Sequence, residues 1–264
     1  TAEAVALDNG QVIRALADDG VAVFPSDDTY TPLWRGLAAG RRVMTFSDTD
    51  RGADVWGEGE WQGAAWQLVA QTPQGELRCA LRIPGRHNLR NALAVIACAL
   101  AAGVPLAAVA QGLAAFEPVK GRSRCLPLTL NGRAITLVDD SYNANPDSVR
   151  AAIDMLADLP GPRWMVLGDM GEVGSQGPAF HAEVGAYAKD RGIEHFWVAG
   201  DLCVHAAQAY GDHARVFTSS AEIVSALSMV QAGAPQVASV LVKGSRFMKM
   251  EQVVSALTGA AHAA

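Results

Sequence analysis

The sequence predicts an α/β protein made of two units, the second with a mostly parallel sheet. Three observations lead there. Beyond residue 124, short apolar runs alternate with longer helical stretches toward the carboxyl end, the order that buries a parallel sheet between helices. The chain has 264 residues, long for a single domain of about 100–150 residues. The apolar pattern also breaks at Glu117-Pro118-Val119-Lys120-Gly121. The boundary is placed there, giving domains 1–118 and 119–264.

In chain order, residues 7–19 read as the end of a helix. Val21–Phe24 is a short buried strand closed by Pro25, and Arg42–Phe46 is a second strand. Residues 61–71 and 76–83 form a hairpin about Thr72-Pro73-Gln74-Gly75, turn chemistry between two strand-like runs. Leu89, Leu93, Ile96 and Leu100 then recur at helical spacing, one stripe of a buried helix. In the second unit, 126–130 and 133–138 flank Asn131-Gly132, the dipeptide that best tolerates the positive φ angles of a tight hairpin. Strands follow at 164–167, 196–199, 216–217 and 240–242. Helices at 148–159, 178–189, 202–210, 221–229 and 249–257 separate them, so the second domain is expected to be Rossmann-like, with helices on both faces.

Composition narrows the function. Half the residues are hydrophobic, 18% are charged, and Gly (26) and Pro (12) are at ordinary levels. Such a chain buries cores and is neither disordered, collagenous nor coiled coil. The formal charge of −6 comes with no long basic stretch, which argues against nucleic acid as a partner, since phosphates need clustered Lys and Arg. Cys79, Cys98, Cys125 and Cys203 form no C-x-x-C pair and suit reduced thiols in a cytoplasm. Residues 91–116 carry no charge, but Gly103-Val104-Pro105 breaks the run into two helices, so no membrane insertion is expected. A cytoplasmic monomer is the expectation.

Polar residues gather where strands run into loops. Gly85-Arg86-His87-Asn88-Leu89-Arg90-Asn91 opens the striped helix. Asn88 can serve as its N-cap, or Asn88 and Asn91 together can read a planar heterocycle through paired donors and acceptors. His87 fits a loop histidine as well as a functional one. Asp139, Asp140, Tyr142 and Asn143 follow a strand, at the edge where open α/β sheets collect ligands, and carboxylates there can accept ribose hydroxyl protons. Asn145 and Pro146 read as the N-cap and first residue of the next helix. Gly168-Asp169-Met170-Gly171-Glu172-Val173-Gly174 is a glycine-rich loop without a dinucleotide fingerprint. Lys243-Gly244-Ser245-Arg246 suggests a small cationic pocket for a carboxylate or an oxyanion. Residue by residue, this describes an α/β protein for a small, partly anionic ligand. A non-catalytic nucleotide-binding module and a Rossmann-type oxidoreductase stay open as alternatives, the latter wanting the missing fingerprint.

Five motifs in order supply a resemblance: Gly-Arg-His-Asn-x-x-Asn-Ala-Leu-Ala (85–94), Lys120-Gly121-Arg122, Asp-Asp-Ser-Tyr-Asn-Ala-Asn-Pro (139–146), Gly-Asp-Met-x-Glu-x-Gly (168–174) and Leu-Val-Lys-Gly-Ser-Arg (241–246). The chain resembles the Mur ligases of peptidoglycan synthesis, from about Gly20 to Ala256. The versions at 140–146 and 243–246 are similar to the branch that joins D-alanyl-D-alanine to UDP-N-acetylmuramoyl-tripeptide. The resemblance implies ATP-driven amide formation through an acyl phosphate, with Mg2+. It implies that His87, Asn88 and Asn91 serve the adenine, Asp140 the ribose, and Arg122 the phosphates, with Tyr142, Asn143 and Asn145 shaping the nucleotide side. Asp169, Glu172, Lys243, Ser245 and Arg246 would line the dipeptide pocket, and Lys243, Arg246 and Arg122 would be the catalytic cations. His181 matches a recurrent family histidine, though its helix position also fits plain packing. The family's G-x-x-G-K-[ST] phosphate loop has no counterpart, since neither Gly-Lys-Thr nor Gly-Lys-Ser occurs. The chain is therefore expected to be the carboxyl-terminal part of a central ATPase domain plus a whole third domain. The magnesium ligands would lie upstream, and the fragment alone would be inactive.

Overall fold

The computed structural model describes residues 2–62, 65–130, 132–229 and 234–259. The chain divides into two compact units, Thr1–Glu117 and Pro118–Ala264.

In the first unit, α1 (Ala2–Arg14), β1 (Val21–Pro25), α2 (Thr31–Leu37), β2 (Arg42–Ser47) and β3 (Val55–Gln62) precede β4 (Ala65–Thr72), β5 (Gly75–Leu81), α3 (Arg86–Ala101) and α4 (Leu106–Ala115). The sheet runs in order β1-β2-β3-β4-β5. β1, β2 and β3 are parallel, while β4 is antiparallel to both its neighbours. The stripe Leu89, Leu93, Ile96 and Leu100 of α3 is buried with Val55, Leu68 and Leu77 of the sheet. α1 stops at Arg14, short of the expected end at residue 19, because the chain turns there and Gly20 N donates to Ala17 O at 2.9 Å. The expected strand 61–71 is two strands: Trp61 and Gln62 end β3, residues 63–64 lie outside the described residues, and Ala65 opens β4. No helix among the described residues is long and apolar enough to cross a membrane.

In the second unit, β6 (Arg124–Leu130), β7 (Arg133–Asp140), α5 (Pro146–Ala157), β8 (Arg163–Gly168), α6 (Gly177–Asp190), β9 (His195–Ala199) and α7 (Cys203–Tyr210) are followed by β10 (Ala214–Phe217), α8 (Ser220–Met229), β11 (Ser239–Lys243) and α9 (Glu251–Leu257). Each strand and helix expected between 126 and 257 is present, its ends displaced by two residues at most. The sheet order is β10-β9-β8-β11-β7-β6, parallel except for the β6–β7 hairpin. Gly132 takes φ +75° at that turn; Asn131 lies outside the described residues.

β11 is laid down last yet sits between β8 and β7, so the connections reverse there. Residues of α5, α6 and α7 form one core with Met165, Leu167 and Leu241, while residues of α8 and α9 form the other with Trp164, Val166, Val240 and Val242. Strands buried on both faces carry unbroken apolar runs, which is why they were readable. The reversal also leaves a crevice-forming edge where β7, β8 and β11 end.

Candidate functional site

The site-like residues of the first unit sit at the start of α3. The helix begins at Arg86, with Gly85 at φ +92° as its N-cap and no side-chain capping bond. Asn88 is therefore not the cap; it lies inside the first turn, buried, with Nδ2 donating back to Pro84 O at 2.7 Å. Asn91 Nδ2 donates to Asn88 Oδ1 at 3.1 Å. The two amides thus form a short chain that ends at the exposed Asn91, while His87 is half-buried beside them.

Sequence reasoning passed over the neighbouring polar cluster. Arg90 donates through Nη2 to Asp27 Oδ1 (2.6 Å), and through Nη1 to Asp27 Oδ2 (3.1 Å) and Asp48 Oδ1 (2.9 Å). Asp27 Oδ2 also accepts from Ser47 Oγ at 2.6 Å and from Thr49 Oγ1. Burial would raise the Asp27 carboxyl, but these hydrogen bonds from Arg90, Ser47 and Thr49 outweigh it and hold the group well below the usual carboxylate range. The signal was present: Ser26-Asp27-Asp28 and Ser47-Asp48-Thr49-Asp50 both follow parallel strands, the position already used to single out Asp140.

In the second unit, the ends of β7 and β11 pair Asp140 with Lys243 in register. Lys243 Nζ donates to Asp140 Oδ2 at 2.6 Å and to Asn143 O at 2.9 Å, with the lysine only 3% exposed. A buried ammonium needs such partners. Lys243 is thus held by Asp140 and the Asn143 carbonyl. Asp140 Oδ1 accepts from Ser123 N at 2.9 Å, which fixes the carboxylate from a second side. Its neighbour Asp139 is fully buried and accepts from Gly121 N (2.9 Å) and Ser141 Oγ (2.6 Å). Asp139 therefore anchors the Lys120-Gly121-Arg122 turn, where Gly121 takes φ +80°. The Arg122 guanidinium stacks over the exposed Tyr142 ring, 4.3 Å from its centroid.

Other expected ligand groups are engaged by the fold. Asn145 Oδ1 accepts from Ser148 N at 2.8 Å, capping α5, with Pro146 opening the helix. Asn143 is exposed, its Oδ1 accepting from Ala144 N at 2.9 Å. Asp169 accepts from Leu202 N (3.2 Å) and Cys203 N (2.8 Å), so its carboxylate closes the N-terminus of α7. Ser245 Oγ accepts from Gly171 N and donates to Ala144 O at 3.1 Å, tying three loops together. His181 is fully buried; Nε2 accepts from Met170 N at 3.0 Å and Nδ1 donates to Gly177 O at 2.7 Å. Of the expected dipeptide pocket, Glu172 and Arg246 face solvent. Glu172 sits at φ +59°, and Arg246 pairs with Glu251 at 2.9 Å.

Known proteins can be set beside this geometry. The Mur ligase glutamate ligase domain matches residues 121–246, and the Mur ligase middle domain matches residues 1–99. The UDP-N-acetylmuramoyl-tripeptide–D-alanyl-D-alanine ligase of Escherichia coli K12 is 35% identical over 256 residues, 96% of this chain and 55% of that protein. Its namesake in Haemophilus influenzae is 34% identical over 252 residues, 94% of this chain and 53% of that protein. A crystal structure of MurF from Acinetobacter baumannii superposes with a TM-score of 0.83 at 32% identity, over 95% of this chain and 54% of that one. The chain spans about half the length of the curated relatives it matches. The second unit is thus an α/β domain of the ligase class. The chain belongs to the Mur ligase family, and carries its middle-domain and glutamate-ligase-domain segments.

Proposed function

We propose that this chain is part of the ligase that joins D-alanyl-D-alanine to UDP-N-acetylmuramoyl-tripeptide in the cytoplasmic stage of peptidoglycan synthesis, with ATP. One observation carries the reading: 35% identity across 96% of the chain to the Escherichia coli enzyme of that name. In the proposed reaction the tripeptide carboxylate attacks the γ-phosphate of ATP and ADP leaves. The dipeptide amine then attacks the acyl phosphate through a tetrahedral intermediate, and phosphate departs. Catalysis of this kind is mostly positioning and charge stabilisation.

The roles are those that the family resemblance implies, with three groups that the fold already holds moved one step back. Asn91, backed by Asn88, serves the adenine, with His87 supporting that turn. Asp140, held by Lys243 and Ser123, accepts from the ribose hydroxyls. Tyr142 and Asn143 shape the nucleotide side, and Arg122 contacts phosphate. Arg246 and Glu172 meet the dipeptide. Lys243, Ser245 and Asp169 act one step back, by holding the loops and carboxylate in place.

The described residues bring one group of three metal-type side chains together, and it does not suit magnesium. The group there that could share an ion is Asp169, His181 and Cys203, whose ligand atoms lie within 4.8 Å of one another. Magnesium wants oxygen ligands, whereas this trio offers one carboxylate that already caps α7, a ring with both nitrogens engaged, and a thiol that burial pushes well up.

The test is phosphate release with ATP, magnesium, the UDP-linked tripeptide and D-alanyl-D-alanine. This chain, without a G-x-x-G-K-[ST] loop, is expected to release none above buffer. A longer protein that joins it to such a loop is expected to release phosphate only when the dipeptide is present. Dipeptide-independent release from the longer protein, or tighter binding of NADH than of ADP, overturns the reading.

A further inference from the structure

We infer that Arg90 is a positioning residue: by clamping the start of the second turn of α3 to Asp27 and Asp48, it sets the direction of the Asn88–Asn91 amide pair. The assignment of that pair to a nucleobase rests on the function proposed above; the positioning itself does not.

The need for a clamp comes from the helix end. Orphan N–H groups at a helix start are ordinarily met by a capping side chain. Here Gly85 provides none, and no acidic residue occupies the first turn. The apolar stripe of α3 fixes which face meets the sheet, but Asn91 lies on the exposed side, where packing does not decide its direction.

Arg90 supplies the missing constraint. Its fork is bidentate to Asp27 (2.6 and 3.1 Å) and reaches Asp48 at 2.9 Å. Such planar, charge-assisted contacts fix orientation as well as distance. Both acids follow parallel strands, Asp27 two residues past the end of β1 and Asp48 directly after β2. Ser47 holds Asp27 in turn at 2.6 Å. The helix is therefore pinned to the rim of the sheet one turn in from its start, and Arg90 is the covalent neighbour of Asn91. A residue between the two amides, tied to two strand ends, is placed to set their common plane.

The test uses this chain with Asp27→Asn, chosen because Asp27 lies 63 residues from Arg90 in sequence and does not disturb the amides through the backbone. Side-chain amide signals of Asn88 and Asn91 are followed by 15N NMR, with adenosine and guanosine as probes. We expect both amide signals to shift and their exchange with solvent to quicken, with the methyls of Ile96 and Leu100 unmoved. Affinity for adenosine should fall by up to about tenfold, the scale of one misplaced neutral hydrogen bond, and the preference for adenosine over guanosine should shrink. Asp48→Asn, which removes the single contact, should do the same more weakly and guards against a fold lost in the first variant. Amide signals unchanged in both variants overturn the inference, whatever the nucleosides do. If the amides move but Asn91→Ala binds adenosine as the parent does, the positioning stands and the adenine assignment falls.

Discussion

The Lys243 ammonium meets the Asp140 carboxylate at 2.6 Å, across the paired ends of two parallel strands that lie far apart in sequence. Both residues belong to motifs that suggest ligand chemistry, and the fold turns them toward each other. Removing one member of a buried pair strands the other, which costs about 3–5 kcal/mol. Asp140 keeps its bond from Ser123 N, so Lys243→Met is expected near the lower end of that range. Lys243→Met with Asp140→Leu should cost less than the two single changes added together. Urea unfolding, read with amide exchange in β7 and β11, measures both. Strict additivity would mean that the two groups do not support each other.

His181 gives the second unit a pH dependence. Burial is the main cause that lowers its pKa from 6.5, with His205 adding to the shift, and with the Gly177 carbonyl and Asp169 opposing it. The folded imidazole is thus neutral where the unfolded one takes a proton near 6.5. Below that value the unfolded chain binds more protons than the folded one, and stability falls with pH. His181 therefore contributes fully above its unfolded pKa, and the contribution is lost as pH falls toward and through the folded one. The urea midpoint should drop between pH 7.5 and 5.5 (roughly the window about the unfolded value). His181→Gln, which cannot take the proton, should flatten that drop. Equal slopes in parent and variant would remove His181 from the account.

The second unit was legible because its strands are buried on both faces and end in turn residues. The first was less so, for local reasons. β3 carries glycine at 57 and 59, where a strand usually carries branched residues, because α3 lies close upon it: a Cβ on Gly59 would come within 2.8 Å of Leu89. α2 is seven residues long, with a proline in its first turn, too short to show a helical stripe. The site motifs were legible as places, but the sequence did not tell which side chains face outward. Asp169 caps a helix 34 residues on, and Ser245 bonds to loops 74 and 101 residues away. Such partners follow from the order of strands in the sheet and from nothing local.

The room around the Cβ position predicts opposite effects at two glycines of the first unit. A Cβ on Gly57 would sit 2.7 Å from Val69 O and 2.9 Å from Leu93 Cδ2. Since the backbone oxygen cannot move aside cheaply, Gly57→Ala should destabilise by about 1–3 kcal/mol, as overpacking does. Gly112 lies on the exposed side of α4 with nothing within 4 Å. Gly112→Ala should stabilise by about 0.5–1 kcal/mol, since alanine loses less backbone freedom in a helix. Thermal melts of the two variants must move in opposite directions for the packing account to hold.

Arg122 and Tyr142 separate a structural contact from a functional one. The guanidinium lies over a ring that is 45% exposed, and a cation–π contact at such a surface is worth about 0.5–1 kcal/mol. Arg122→Ala should therefore shift the urea midpoint little. A charge-assisted contact with phosphate is worth about 1.5–3 kcal/mol, or about ten- to a hundredfold in affinity. If Arg122 meets phosphate, Arg122→Ala lowers affinity for ATP by that factor and leaves adenosine binding unchanged. Tyr142→Leu, which removes the platform but keeps the cation, should weaken ATP less than Arg122→Ala does. Calorimetry with ATP and adenosine on the same preparations decides between the roles. A loss equal for the two ligands, or no loss for ATP, would leave Arg122 as the partner of Tyr142 alone.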